Sequence, residues 1–192
     1  MKPLLFVISG PSGSGKTTLA RAILADRVLK PAIARSVSFT TRRMRTGEKD
    51  AKDYFFISAK EFRSMLRQKK ILEWTRYLGY YYGTAKEFVK GQLSCGRSLV
   101  LCLDVKGADA IKKAFGRQAV TIFVIPPSVD VLRQRILNRC SRISALEVRR
   151  RLSAARSEMK AAERYDHTVV NEDLGRARRE LKKIIVSELK KR

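Results

Sequence analysis

Between the apolar run Leu4-Leu5-Phe6-Val7-Ile8-Ser9 and the segment Thr18-Leu19-Ala20-Arg21-Ala22-Ile23-Leu24 lies Gly10-Pro11-Ser12-Gly13-Ser14-Gly15-Lys16-Thr17. These eight residues satisfy G-x-x-x-x-G-K-[ST] at every fixed position, with a strand pattern before them and a helix pattern after. Few sequence features restrict a fold as much. The glycines let backbone N–H groups converge on phosphate oxygens, and the positive end of the following helix adds to the attraction. Lys16 can reach the β- and γ-phosphates, and the Thr17 hydroxyl can ligate Mg²⁺. A nucleoside triphosphate site is expected here, formed by Gly10, Ser12, Gly13, Ser14, Gly15, Lys16, Thr17 and Thr18.

Further strand-like runs occur at Leu4–Ser9, Ser98–Leu103, Val120–Ile125 and His167–Val170, with helical patterns between them. That alternation predicts a mostly parallel sheet with helices on its faces. Pro126-Pro127 ends the third run, and Ser128 can cap a helix carrying Val129, Leu132 and Ile136 on one face. A second helix is expected over Ala145 to Arg164, and a last one after Asn171-Glu172-Asp173. The stretch from Ser36 to Gly91 differs in texture, being rich in Thr, Tyr and Phe, with turn signals at Thr46-Gly47-Glu48 and Leu78-Gly79. It reads as a small mixed lobe inserted into the sheet-forming core.

The 192 residues suit one domain with inserted lobes. No apolar run approaches the ~20 residues needed to cross a bilayer. The phosphate loop starts so early that no cleavable leader is expected, and the protein reads as cytoplasmic. Cys95, Cys102 and Cys140 lack paired spacing and read as reduced thiols. One histidine, His167, excludes histidine-rich metal clusters and leaves oxygen-ligated Mg²⁺ as the expected metal. Against 18 Asp and Glu stand 42 Lys and Arg, a formal charge of +24. A basic solvated surface and weak polyanion contact both accommodate this excess, and no RNP, zinc-finger or basic-zipper pattern accompanies it. Specific nucleic-acid and membrane partners are therefore not expected.

The inserted lobe identifies the second substrate. Ser36-Val-Ser38-Phe-Thr40-Thr41-Arg42-Arg43-Met44-Arg45-Thr-Gly47-Glu48, then Lys52-Asp53-Tyr54-Phe-Phe56, resembles the monophosphate-binding lobe of guanylate kinases. So does Glu73-Trp74 followed by Tyr80-Tyr81-Tyr82-Gly83-Thr84. The resemblance continues through Leu103-Asp104-Val-Lys-Gly107, Ile125-Pro-Pro-Ser128, Arg151-Leu-Ser-Ala-Ala155 and Val169-Val-Asn171-Glu-Asp-Leu174. It implies a P-loop NTPase fold: a three-layer α/β/α core (1–35, 92–128 and 160–192), a mixed α/β GMP-binding lobe (36–91) and a helical lid (129–159). It also implies transfer of the γ-phosphoryl group of ATP to GMP and dGMP, with Mg²⁺.

By the same resemblance, Ser38, Glu73, Thr84 and Asp104 read guanine, while Arg42, Arg45, Tyr54 and Tyr82 bind the monophosphate. The chemistry agrees: guanine offers donors at N1 and N2, which carboxylates accept, and an acceptor at O6, which suits hydroxyls. Adenine has an acceptor at N1, so a buried carboxylate there would be left unpaired. Arg135, Arg139 and Arg151 would act with Lys16 and Arg42 on the moving phosphoryl group, and Asn171 would lie near the donor base. Arg142 receives no role. Taken singly, Glu73 reads as a surface carboxylate, Trp74 and Phe55 or Phe56 as lobe core, and at least one of Tyr80 to Tyr82 as packed into the lobe.

Three departures from the family pattern stand out: Met44 in place of a proline, Phe39 in place of a polar residue, and Cys102 in place of the first acid of an Asp-x-Asp pair. Competing readings are a related transferase for another small phosphorylated acceptor, an inactive guanylate-kinase-like scaffold and a nucleic-acid-binding module. The intact phosphate loop opposes the scaffold reading, and Glu73 with Asp104 opposes a different acceptor.

Overall fold

Residues 2–139 and 144–191 are described by the structure, a computed structural model. Strand β1 (Leu5–Ser9) is buried at every residue, because it lies in the middle of a sheet covered on both faces. It pairs in parallel with β7 (Ser98–Cys102) on one side and β8 (Ala119–Ile125) on the other. The short β2 (Ile33–Arg35) and β9 (His167–Val170) form the edges, giving the parallel order β2-β7-β1-β8-β9. Side chains alternate across it. Leu4, Phe6 and Ile8 pack against Leu19 and Ile23 of α1 (Lys16–Leu24) and Leu181 and Ile185 of α7 (Leu174–Lys190). Leu5 and Val7 face the opposite layer, with Val89 of α3 (Lys86–Ser94) and Ile111 of α4 (Val105–Phe115). These three layers match the sequence expectation, with β2 added as a strand too short for its pattern to announce.

The lobe holds a second sheet, ordered β4-β3-β6-β5 and built from β3 (Phe39–Thr40), β4 (Phe55–Phe56), β5 (Ile71–Tyr77) and β6 (Tyr80–Ala85). Strands β5 and β6 form a hairpin that turns at Leu78 and Gly79, both at positive φ (48° and 88°). Its ladder is irregular between Ile71 and Trp74, then pairs Trp74 with Gly83 and Thr75 with Tyr82. Helix α2 (Ala59–Arg67) starts with a capping box, Ser58 and Glu61 each accepting from the other's backbone N–H. Its Phe62 stacks on Tyr81 at 5.2 Å, so Tyr81 is the tyrosine packed into the lobe. Trp74 does not join that core. It lies on an edge strand beside Tyr81 and is 50% exposed.

Helix α5 (Val129–Arg139) buries Leu132 and Ile136 against Val148 and Ala155 of α6 (Ala145–Met159). The expected helix to Arg164 stops at Met159, and a short 3₁₀ turn covers Ala162–Arg164. The turn delivers Asp166 to β8, where its carboxylate accepts from the Thr121 N–H and hydroxyl, each at 2.8 Å. Asp173 caps α7 by accepting from Arg176 N at 2.7 Å. No helix among the described residues is long and apolar enough to cross a membrane.

Candidate active site

The phosphate loop joins the C-terminal end of β1 to the first turn of α1. Its N-cap is Gly15, without a side-chain cap, and the first turn holds no acid. The N-terminal N–H groups therefore present positive potential unopposed by a local carboxylate, which suits a phosphate. Gly10 and Gly15 adopt φ of 136° and 95°. A side chain at Gly10 would meet the Val124 carbonyl at 2.4 Å, and one at Gly15 would meet the Asn171 amide at 2.1 Å. That contact has a purpose: Asn171, only 5% exposed, donates from Nδ2 to the Ser14 carbonyl at 2.7 Å. Arg135 Nη2 donates in turn to the Asn171 carbonyl at 3.0 Å. Lys16 Nζ donates to the Gly10 and Pro11 carbonyls at 2.6 and 3.0 Å. Lys16, Thr17, Thr18, Arg135 and Asn171 line one groove outside the loop.

A second cavity opens on the other side of Lys16. Lys16 and Thr17 form part of its wall, facing Ser38, Arg42, Tyr54, Tyr82, Glu73 and Asp104, and Arg45 also reaches it. Elements distant in sequence thus converge on one cavity. Thr84 alone stands behind the wall, fully buried, donating from Oγ1 to Glu73 Oε1 at 2.6 Å. It orients the carboxyl. Far from being a surface group, Glu73 is 6% exposed. Burial pushes its pKa up to about 7; the Thr84 hydroxyl opposes the rise and Asp104 adds to it. Asp104 caps α4, accepting from Gly107 N at 2.8 Å.

Arg42 and Arg45 are tied together by one carboxylate. Arg42, 8% exposed, forks onto Glu48 at 2.9 and 3.0 Å, and its guanidinium carbon lies 5.5 and 5.6 Å from the Tyr54 and Phe56 ring centroids. Glu48 Oε2 also accepts from Arg45 N at 2.9 Å. One carboxylate therefore sets both arginines, a role its sequence position did not disclose. Tyr54 and Tyr82 meet edge-on at 6.0 Å.

On α6, Arg151 is 5% exposed and pairs with Glu147 one turn earlier. It shares a recess with Ser12, Arg42 and Arg45. The Arg139 side chain, Cys140 and Arg142 lie outside the described residues. Sequence reasoning also passed over Glu158 and Tyr77, which line the cavity with Lys16 and Asp104. Burial pushes Glu158 up to about 7, with Lys16 pulling it down and Asp104 pushing it up. Its seven-residue spacing from Arg151 is two helical turns, the one signal that could have revealed it. Cys102, partly buried, lines the cavity too, and burial raises its thiol pKa.

No cluster of three His, Cys, Asp or Glu capable of holding a metal occurs among the described residues. The donor set fits a Mg²⁺ that arrives with phosphate and takes a protein oxygen from Thr17.

The family model described as guanylate kinase matches residues 2–188. A guanylate kinase of Caldanaerobacter subterraneus subsp. tengcongensis is 41% identical over 186 residues, covering 96% of this chain and 87% of that protein. One from Symbiobacterium thermophilum is 43% identical over 187 residues, covering 97% and 86%. The crystal structure of guanylate kinase from Anaplasma phagocytophilum superposes with a TM-score of 0.78 at 30% identity, covering 97% of this chain and 86% of that one.

Proposed function

The chain belongs to the guanylate kinase family, and we propose that it transfers the γ-phosphoryl group of ATP to GMP, and to dGMP, giving ADP and the nucleoside diphosphate. The observation that carries this reading is the cavity in which Lys16 and Thr17 face Arg42, Tyr54, Glu73 and Asp104. Donor-phosphate and guanine-reading chemistry share one wall-to-wall space there.

In this reading the loop N–H groups and Lys16 hold the ATP phosphates, Lys16 exchanging its bonds to the Gly10 and Pro11 carbonyls for phosphate oxygens. Glu73 and Asp104 accept from the guanine donors, and Ser38 serves its acceptor edge. Arg42, Arg45, Tyr54 and Tyr82 orient the GMP phosphate. An oxygen of that phosphate attacks the γ-phosphorus as the bond to the β–γ bridging oxygen breaks, and ADP leaves. The acceptor loses its second proton near pH 6, so no general base is required. Catalysis rests on alignment and on cancelling charge with Lys16, Arg42, Arg135, Arg139 and Arg151. Mg²⁺, held through Thr17, neutralises charge on the donor phosphates when it is bound. Asn171 supports the donor site by bracing the Ser14 carbonyl. The lobe (36–91) and lid (129–159) close on the core (1–35, 92–128 and 160–192) and exclude water.

Coupled measurement of ADP release with GMP, dGMP, AMP, UMP and CMP, with and without Mg²⁺, tests the proposal. Turnover confined to GMP and dGMP and dependent on Mg²⁺ is expected; equal turnover of AMP would refute it.

A further inference from the structure

Segment 46–54 separates the two nucleotide sites. Arg45 and Tyr54 line both the donor groove and the acceptor cavity, while Glu48 and Asp53 face the groove. The inner end of the segment is fixed by the Arg42–Glu48 fork. Its outer end is held by the core. Arg21, five residues after Lys16 on α1, forms an ion pair with Asp53, whose side chain is 7% exposed. Arg35, the last residue of β2, donates from Nη1 to the Lys52 carbonyl at 2.8 Å and from Nη2 to the Asp53 carbonyl at 3.1 Å. Asp53 Oδ2 accepts from Lys49 N at 2.8 Å, closing the segment on itself. Two guanidinium groups from separate core elements thus grip the dipeptide immediately before Tyr54.

We propose that Arg21 and Arg35 are positioning residues for the acceptor phosphate, latching segment 46–54, and with it Tyr54, Arg42 and Arg45, at a set distance from the phosphate loop once the lobe has closed. Neither guanidinium lines the acceptor cavity; both line the donor groove, so KM for ATP is the readout that separates a direct donor role from positioning. Both act through Asp53 and its neighbouring carbonyls. Because Arg21 sits on the helix that the phosphate loop opens, the closed lobe's acceptor residues are latched to the donor loop's own mount, and in-line transfer tolerates little error in their separation.

The proposal rests on GMP being the acceptor, so wild-type turnover of GMP is measured first. A wild type that ignores GMP defeats that reading, whereas an active wild type with indifferent variants defeats only the positioning role. Arg21→Ala, Arg21→Lys, Asp53→Asn and the double variant Arg21→Ala/Asp53→Asn are then compared by KM for each nucleotide, kcat and Tm. Truncating Arg21 leaves a buried carboxylate without its cation, and KM for GMP is expected to rise about tenfold. KM for ATP should change less than about twofold, Arg21→Lys should recover most of the loss, and the double variant should be no worse than the worse single variant. The proposal is overturned if KM for GMP stays within about twofold of wild type in the single variants. It is equally overturned if KM for ATP alone rises, or if both constants and Tm shift together without rescue by lysine. Should Arg21→Ala fail to fold, Arg21→Lys and Asp53→Asn carry the same comparison.

Discussion

The two walls of the cleft are built from different materials. On the proposed donor side, the wall is mostly backbone: a bend of glycines, an uncapped helix start, and a lysine resting on the carbonyls of its own loop. On the proposed acceptor side it consists of side chains already engaged with one another, Arg42 with Glu48 and Thr84 with Glu73. A backbone cradle recognises phosphate wherever it occurs, and so says little about the molecule attached. A wall of paired side chains costs more to assemble but can distinguish one base from another. The difference predicts that damage to each wall has its own kinetic signature.

The largest effect should follow from removing the donor wall's charge. Lys16→Met is expected to lower kcat by at least about a thousandfold. GMP binding, followed by the fluorescence of the one tryptophan, Trp74, should be nearly unchanged. Loss of GMP affinity in that variant would break the separation of the two walls.

Glu73→Gln attacks the other side. It turns a carboxylate proposed to accept from guanine's N–H donors together with Asp104 into a partly donating amide, and KM for GMP should rise about a hundredfold while KM for ATP holds. The same variant should be the more stable one at pH 8. A carboxyl whose pKa climbs from 4.5 to about 7 on folding favours the folded state below the lower value. That contribution is lost as pH rises through the higher one, so removing the charge should restore roughly 2 kcal/mol, visible as a raised Tm without ligand. A Tm below that of wild type would mean that Glu73 is not strained in the free protein.

A gentler probe is pH itself. On the proposed reading, ionised Glu73 offers two acceptor oxygens to guanine whereas neutral Glu73 turns one into a donor, so KM for GMP should fall about tenfold between pH 6 and 8. Ionisation of the GMP phosphate contributes part of this change, and in Glu73→Gln only that part should remain. The smallest effect belongs to the brace behind the donor loop. Asn171→Ala removes the amide donor to Ser14, and KM for ATP should rise about fivefold with KM for GMP unmoved.

This division of materials also decides what could be read from the sequence. The donor loop was legible because each glycine answers a backbone requirement, and Gly10 and Gly15 have no room for a side chain. The parallel core was legible because strands buried on both faces are written as apolar runs; three-residue β2 is too brief to leave one. Glu73 and Asp104 were recognisable only as members of an ordered set, since a carboxylate beside a tryptophan carries no sign of its burial. Trp74 was misassigned to the core because alternation reveals two faces of a strand without saying how completely the partner layer covers each. Glu48, Asp53 and Glu158 escaped assignment altogether. Their roles depend on which arginine or lysine folding brings opposite them, and no local pattern encodes that.

The hairpin of β5 and β6 has a consequence for how the lobe can change. Glu73, Thr75 and Tyr77 alternate along β5 onto the cavity face, and Tyr82 joins them from the paired strand. Trp74 and Tyr81 occupy the other face, beside α2. Strand side chains have a period of two, so gain or loss of one residue between the ladder irregularity and the turn would exchange the faces wholesale. Glutamate would go to the helix and tryptophan to the nucleotide. The hairpin behaves as a reading frame: substitutions edit single letters of the acceptor site, while a one-residue indel scrambles the word.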